Sequence, residues 1–584
     1  LKTLHADIRS HFSLGESVLS LGEIETGVST GEWSSAILAD TMSINGMPDF
    51  TRKMQKIGVK PIVGCRLRVV DSLDRNKRAP TCFPKLICRT ARGLVMLQKL
   101  LTLANDDDHF YYVPRLTWGD ILDTLSDAKD DFYLTSGTLY SAIRQKSGVV
   151  ALESAASILG LSHVFLEVCP VDSPLWDRQC VNAVHLADKL GLETLVSKPA
   201  LHSEDMSRAL QIMNGIAANR KLLDEDFTAH VKDYGVDSSK DVIKSCANQV
   251  ARIRSSIDPS FASKAHLAGV RNWEKIENGV SFVWSKMPIS LPVMALDENA
   301  ALVDLVKAGF KARMTQTVFG NKISNPKPYV DRLKMELGVL TDMGFAGYFL
   351  LVADIVQWSK SSGILVGPGR GSVGGSLVAF CIGITDVDPL RFDLIFERFI
   401  NPDRLDLPDV DLDFASSRRH EVLSYIETKF GSENVAGISN YTTLGSAAAL
   451  RDVGRIMGMS LLDIAISKAI PKEHNQNVSL ERALNEEPRI RFFADKNPEI
   501  FSLAVQLEDK VRSMGRHAAG VVVSGCPLVE RAVVERRGGA PTVNWDKQVV
   551  EDMGLVKIDV LGLSNLDLIR IAKSLIFERH GVVI

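Results

Sequence analysis

Three carboxylates in strict alternation with apolar residues, Asp409-Val-Asp-Leu-Asp-Phe414, are the sharpest chemical signal in the chain. In an extended strand successive side chains point to opposite faces, so Asp409, Asp411 and Asp413 share one face while Val410, Leu412 and Phe414 share the other. Carboxylates two residues apart lie roughly 6.5–7 Å apart along such a strand, and their side chains can converge on two divalent ions about 3.5–4 Å apart. Acids crowded in this way favour a cation. The same pattern also suits an edge strand that wards off other strands with charge. A second stretch, Leu555-Val-Lys-Ile-Asp-Val560, repeats the design, with Lys557 and Asp559 on one face and Val556, Ile558 and Val560 on the other. Alone, that pair reads as a surface ion pair worth about 0–1 kcal/mol; beside a metal-bound triphosphate it would add one cation and one metal ligand. The third signal is Gly367-Pro-Gly-Arg-Gly-Ser372. It overlaps Gly369-Arg-Gly-Ser-Val-Gly374, which satisfies the dinucleotide fingerprint, yet Asp386 comes too early for the acid of that fingerprint and no P-loop lysine follows. A guanidinium inside the loop suits a phosphate, so the loop reads as a triphosphate cradle.

These residues need elements to hold them. Ile364–Val366 reads as a strand before the glycine loop and Leu377–Ile382 as an apolar helix after it, a unit that turns backbone amides toward phosphate. Upstream, apolar residues at 333, 337 and 340 predict a helix over Tyr329–Leu340, and a second helix, Tyr348–Lys360, stops at Ser-Ser-Gly363. Residues 415 to about 513 read as mostly helical and carry scattered cations, among them Arg451, Arg455, Lys468, Lys472, Arg482, Arg489, Arg491, Lys510 and Arg512. Ala518–Val523 and Leu555–Val560 then read as strands, which makes the helical stretch an insertion in a sheet domain. Before residue 265, β-like runs (Lys60–Gly64, Gly160–Val168, Leu192–Ser197) alternate with helical ones (Leu94–Ala104, Cys180–Leu190), the pattern of an α/β domain.

A chain of 584 residues exceeds what one hydrophobic core supports, so several domains are expected. With 45% hydrophobic and 24% charged residues it has ordinary globular composition, which excludes a disordered or fibrous chain. The net charge of −3 puts any nucleic-acid contact on a local basic surface. No run reaches the ~18–20 apolar residues of a membrane helix, and no membrane partner is expected. Eight cysteines without a CxxC pair disfavour a zinc ribbon or a disulfide framework and point to a reducing cytoplasm. The first residue is Leu1 and the last stretch is apolar up to Ile584, from which a fragment of a longer chain is expected.

In their order these pieces resemble one family, the alpha subunits of bacterial replicative DNA polymerase III, the C-family polymerases. The resemblance runs through Met343–Phe349, Val366–Ser372, Ile384–Pro389, Phe396–Pro402, Pro408–Phe414, Ala449–Arg455, His517–Val521 and Val556–Gly562. It implies a beta-type nucleotidyltransferase palm with a helical thumb insertion. Gly371 and Ser372 would be the Gly-Ser turn, and Asp411, Asp413 and Asp559 the catalytic, metal-binding aspartates. Arg370, Lys557 and Arg398 would hold the incoming triphosphate, with Asp409 in support. It further implies two Mg2+ ions, for which Mn2+ can substitute, and primer-template DNA and deoxynucleoside triphosphates as substrates. A sliding clamp and other replisome subunits would bind beyond residue 584.

The amino-terminal part resembles the family's polymerase-and-histidinol-phosphatase (PHP) domain through Arg9–Ser13, Leu38–Asp40 and Gly58–Cys65. The resemblance places metal ligands where this chain has Arg9, Thr41 and Arg66, and cations there would repel metals. The fold class expected is therefore multidomain α/β and α+β. A PHP-like α/β domain with degraded metal ligands spans 1–270, the palm 271–435 and 514–563, the thumb 436–513, and the start of the fingers 564–584. His5, His11 and His202 are expected to be ordinary surface histidines.

Overall fold

A computed structural model describes the chain apart from residues 1–3, 32, 34, 76–79, 139, 204–205, 220–233, 236–238, 316–324, 401–407 and 409. Asp409 and the end of the Phe396–Pro402 motif therefore lie outside the described residues. Contacts divide the chain into two units, Leu1–Trp284 with Tyr441–Gly515, and Ser285–Asn440 with Arg516–Ile584.

The first unit is built on a seven-stranded sheet whose spatial order equals its chain order: β1 (Leu4–Ile8), β2 (Ser35–Thr41), β3 (Ile62–Arg66), β4 (Lys85–Cys88), β5 (Phe132–Thr135), β6 (Val164–Val168) and β7 (Glu193–Val196). β1, β2 and β3 pair in parallel, as do β5, β6 and β7, while β4 runs antiparallel to both of its neighbours. Every residue of β3 and β6 is buried, as befits strands covered on both faces. The α/β expectation thus holds for this unit, with shifts in detail. The run expected from Gly160 becomes a strand only at Val164, after a 3-10 turn at Leu161–His163. The helix expected from Cys180 begins at Pro174, because Ser173 caps it and Pro174 takes the first turn, where a missing N–H is harmless.

Residues 441–515 belong to this unit. Helices Ser446–Ile456, Leu480–Glu486, Pro488–Lys496 and Pro498–Leu507 bury Leu450, Val453, Leu480, Ile490, Phe501 and Leu507 in a common core.

A six-stranded mixed sheet organises the second unit: β8 (Asp411–Ala415), β9 (Val435–Thr443), β10 (Val511–Val523), β11 (Val534–Arg537), β12 (Ala540–Val543) and β13 (Val556–Leu563), in the spatial order β8-β13-β10-β9-β12-β11. β8 and β13 are parallel, whereas β10 and β13 are antiparallel. Two expectations are corrected here. β9 is a strand inside the region read as mostly helical. The run Ile364–Val366 is no strand, since Val366 makes a single bridge to Phe414 and glycines 363 and 367 close it off on both sides. Helices Lys327–Asp342 and Ala346–Ser361 pack on this sheet through Leu340, Phe349, Val352 and Ile355, against Phe380, Phe414, Ile558 and Val560. Among the described residues no single helix is long and apolar enough to cross a membrane.

Candidate active site

The parallel register of β8 and β13 sets Asp411 directly opposite Asp559 and Asp413 opposite Leu561. The alternation that buries Leu412 and Phe414 in the core turns Asp411 and Asp413 to the other face, so three carboxylates from two strands gather at one end of the strand pair. Asp413 and Asp559 are largely buried, whereas Asp411 is half-exposed. Asp413 Oδ1 and Asp559 Oδ1 are buried and accept no hydrogen bond among the described residues.

The glycine loop runs alongside β8. Gly367 N–H donates to Asp413 O at 2.8 Å and Ala415 N–H donates to Leu365 O at 3.1 Å. A Cβ at position 367 would sit 2.9 Å from Asp413 Cβ, which only glycine avoids. Beyond it, Gly369 (φ +106°) and Gly371 (φ +69°) take backbone conformations that side chains disfavour, and between them Arg370 is aimed back at the acids. Its Nε lies 3.3 Å from Asp413 Oδ1 and 3.6 Å from Asp411 Oδ2. Burial pushes the Asp413 carboxyl above its ordinary range; Arg370 opposes this and Asp411 adds to it. On β13, Lys557 Nζ binds Asp559 Oδ2, so each buried carboxylate of the site faces one cation. Among the described residues no three carboxylate, imidazole or thiolate groups enclose a point where an ion could sit. At this site the two cations hold the acids' charge instead.

The sequence-predicted residues separate as follows. Asp411, Asp413, Asp559, Arg370 and Lys557 come together, and Gly371 adjoins them, its site for a Cβ lying 3.5 Å from Asp411 Oδ2. Ser372 is exposed in the 3-10 turn Gly371–Gly375, beside the turn Phe396–Arg398 that carries the exposed Arg398. The phosphate-facing helix is corrected. Helix Leu377–Cys381 is one short turn, and its first amides are already taken by Glu336, which accepts from Leu377 N–H (2.9 Å), Val378 N–H (3.0 Å) and Ser376 Oγ (2.9 Å). Any phosphate must therefore be met by the loop and its arginine.

Two residues carry more than their motif suggested. Gly520 pairs opposite Asp559, and a Cβ there would meet Ile438 Cδ1 at 2.9 Å, His517 Nδ1 at 3.0 Å and Lys557 Cε at 3.3 Å. His517 Nδ1 accepts from Gly520 N–H at 2.8 Å, within β10 and beside Lys557. The signal in sequence was the small-residue run Ala518-Ala-Gly520 facing a lysine strand.

Many cations of the expected basic insertion are internally neutralised. Arg482 pairs with Glu473 and Glu486, Arg489 with Glu487, Arg455 and Arg512 with Asp452, and Lys510 with Glu23. The described residues leave Arg451, Lys468 and Lys472 without an ion pair.

In the first unit, the positions where metal ligands are expected hold a buried charge cluster. Arg9 faces Asp7 (3.4 Å) and Glu16 (3.7 Å), Arg66 faces Glu16 (3.3 Å), and Thr41 Oγ1 donates to Glu16 Oε2 at 2.6 Å. Lys85, fully buried on β4, lies 2.9 Å from Glu167 Oε1 and 3.5 Å from Asp7 Oδ2, and donates to Ala6 O and Ser197 Oγ at 3.0 Å each. Burial pushes Asp7 up, but Lys85, Arg9 and Arg66 outweigh it and hold the carboxyl very low. Burial, with the charge of Arg9 adding to it, brings Arg66 down to about 9. His5 and His202 are buried and His11 is nearly so, against the expectation of surface histidines. Burial, with Lys198 adding to it, lowers His5 to about 3, and burial with Lys510 lowers His11 to about 4.

Comparison with known proteins adds an independent line. The family described as bacterial DNA polymerase III alpha NTPase domain matches residues 300–562, and the PHP domain family matches residues 5–167. A protein named DNA polymerase III subunit alpha from Yersinia pestis is 37% identical over 597 aligned positions, covering 98% of this chain and 50% of that protein. Proteins of the same name from Neisseria meningitidis serogroup B and Aquifex aeolicus are 32% and 28% identical, covering 94% and 99% of this chain and 48% and 52% of their own lengths. The chain spans about half the length of the curated relatives it matches.

Proposed function

We propose, for a chain that belongs to the family of bacterial DNA polymerase III alpha subunits, that its second unit carries the nucleotidyl-transfer centre of a template-directed DNA polymerase. The observation that carries this reading is the register that sets Asp411 opposite Asp559 with Asp413 one pleat along, backed by Arg370 and Lys557. The donor set suits two Mg2+ ions, or Mn2+ in their place, because all its ligands are hard carboxylate oxygens and two of them, on Asp413 and Asp559, lack hydrogen bonds. When bound, such a pair lowers the pKa of a primer 3′-hydroxyl and offsets charge on the triphosphate.

The chain's own residues do the rest. Asp411, Asp413 and Asp559 present their carboxylates from two directly paired strands. Arg370 and Lys557, which face those acids here, turn to the triphosphate when it enters and supply two of the charges it needs. Arg398, on the neighbouring turn, is the third cation, and Gly371 with Ser372 lets the backbone approach the phosphates. The six-stranded sheet acts as palm and the helices within residues 436–513 as thumb. Primer-template DNA and deoxynucleoside triphosphates are the substrates, and a sliding clamp and other replisome subunits are partners of the longer protein.

Calorimetric Mn2+ titration with a nonhydrolysable deoxynucleoside triphosphate tests this. Asp411→Asn and Asp413→Asn each remove one formal charge at constant volume and should abolish the tighter metal event; unchanged affinity in both would overturn the assignment.

A further inference from the structure

We infer that the first unit carries a binding pocket for a nucleoside phosphate, next to the Arg9–Glu16–Arg66 cluster and separate from the aspartate site. A cleft of about 690 Å3, ample for a mononucleotide, is lined by residues that include Arg68, Phe83, Tyr140, Ser141, Arg144 and Gln145. Its charge is one-signed. Among the described residues that line it there are two guanidiniums and no carboxylate. Arg68 Nε is buried and makes no hydrogen bond, and Arg144 forms no ion pair among the described residues. Among the described residues the one carboxylate within electrostatic reach of Arg68 is Glu16, and Arg9, Arg66 and Thr41 already engage it. Two guanidiniums in one cleft, with only a carboxylate already shared by Arg9 and Arg66 in reach of one of them among the described residues, suit the oxygens of a phosphate.

The other half of the cleft suits a nucleoside. Tyr140 is a bulky residue held at φ +53°, a strained conformation, and the residue is 56% exposed. Arg144 lies over that ring at 5.5 Å, and the Phe83 ring stands 6.1 Å from it. The carbonyl of Tyr140 accepts from Phe83 N–H at 3.0 Å, which pins the strained residue to the strand side of the cleft. An exposed aromatic face beside arginine is a stacking platform for a base. Gln145 Oε1 is buried without a donor, and a sugar hydroxyl or base amino group can supply one.

The nucleoside phosphate could be a free nucleotide or the 5′-terminal residue of a strand, and the test separates these. Titration calorimetry of the whole chain in EDTA, which keeps divalent ions from the aspartate site, uses dAMP, a 5′-phosphorylated oligo-dA tetramer and inorganic phosphate. Saturable binding of dAMP or the tetramer is expected, with the tighter of the two naming the source. Arg144→Ala, on an exposed side chain, should weaken it about tenfold or more, and Tyr140→Ala should weaken it while Tyr140→Phe restores it. The inference is overturned if neither probe saturates, if Arg144→Ala leaves the affinity unchanged, if inorganic phosphate binds as tightly as dAMP, or if Arg370→Ala abolishes binding and so moves it to the aspartate site.

Discussion

Replacing Lys85 by methionine keeps the length of the side chain and deletes one charge from the interior of the first unit. Its ammonium faces Glu167, Asp7, a carbonyl and a hydroxyl, all buried. Asp7 keeps Arg9 at 3.4 Å and stays ionised. Glu167 keeps only the Thr135 hydroxyl, and burial already pushes its carboxyl upward. Left ionised, it would cost about 3–5 kcal/mol, as a broken buried pair does. It can escape by binding a proton, at a price of about 1.36 kcal/mol for each pH unit above its unfolded value near 4.3. The destabilisation should therefore approach ~4 kcal/mol at pH 7.5 and fall to ~1.5–2 kcal/mol at pH 5.5. The sign follows from linkage: in the variant the folded pKa of Glu167 lies above the unfolded one, so stability is lost as pH rises between them. Urea unfolding followed by tryptophan emission measures this, because five of the seven tryptophans (33, 118, 176, 273 and 284) lie in the same unit as Lys85. Adding Glu167→Gln should recover most of the loss. A single variant that costs under about 1 kcal/mol, equally at both pH values, would refute the view that Lys85 compensates Glu167.

Other expectations concern both units. Arg370→Ala should tighten Mn2+ binding several-fold without nucleotide, since a competing cation leaves Asp411 and Asp413, and should weaken it once a triphosphate is present; calorimetry under both conditions reads the reversal. Gly520→Ala should displace Lys557 and raise the apparent dissociation constant for the triphosphate, with far-ultraviolet circular dichroism unchanged. The first unit should show no metal-dependent hydrolysis of single-stranded DNA or a chromogenic phosphate ester with Mn2+, Zn2+ or Mg2+, and hydrolysis surviving Asp411→Asn would contradict this. His5, lowered to about 3, binds fewer protons folded than unfolded, so its contribution to stability is intact above about 6.5 and is lost as pH falls from there toward 3; His5→Gln should flatten that part of the stability profile.

How far the sequence revealed the site depended on the range of each interaction. The facing of Asp411 and Asp413 is local and follows from alternation alone. That Asp559 stands opposite Asp411 is a matter of sheet register between distant strands, which alternation leaves open; only the family resemblance joined them. The docking of Glu336 onto the short helix at Leu377 was hidden because an acid on a helix reads as a solvent-facing residue. Lys85 was hidden for the converse reason, since no local pattern marks a lysine in a four-residue strand as fully buried. β9 escaped because Val-Ala-Gly-Ile-Ser-Asn-Tyr-Thr-Thr, between helices, lacks the alternation that would mark a half-buried strand.

The β8–β13 pair joins residues 148 positions apart, and between them the chain leaves one unit, contributes four helices to the core of the other and comes back. Closing a loop of that length has an entropy cost of about 4–5 kcal/mol before any contact forms, and a parallel pairing gains nothing until both strands are present. During synthesis Asp411 therefore waits, on a strand that has only the upstream glycine loop beside it, while another 148 residues are made. The face that gathers the three carboxylates comes into being late, after the excursion has found its own core. A nascent chain stalled between Asp413 and Asp559 holds two of the three acids with no third.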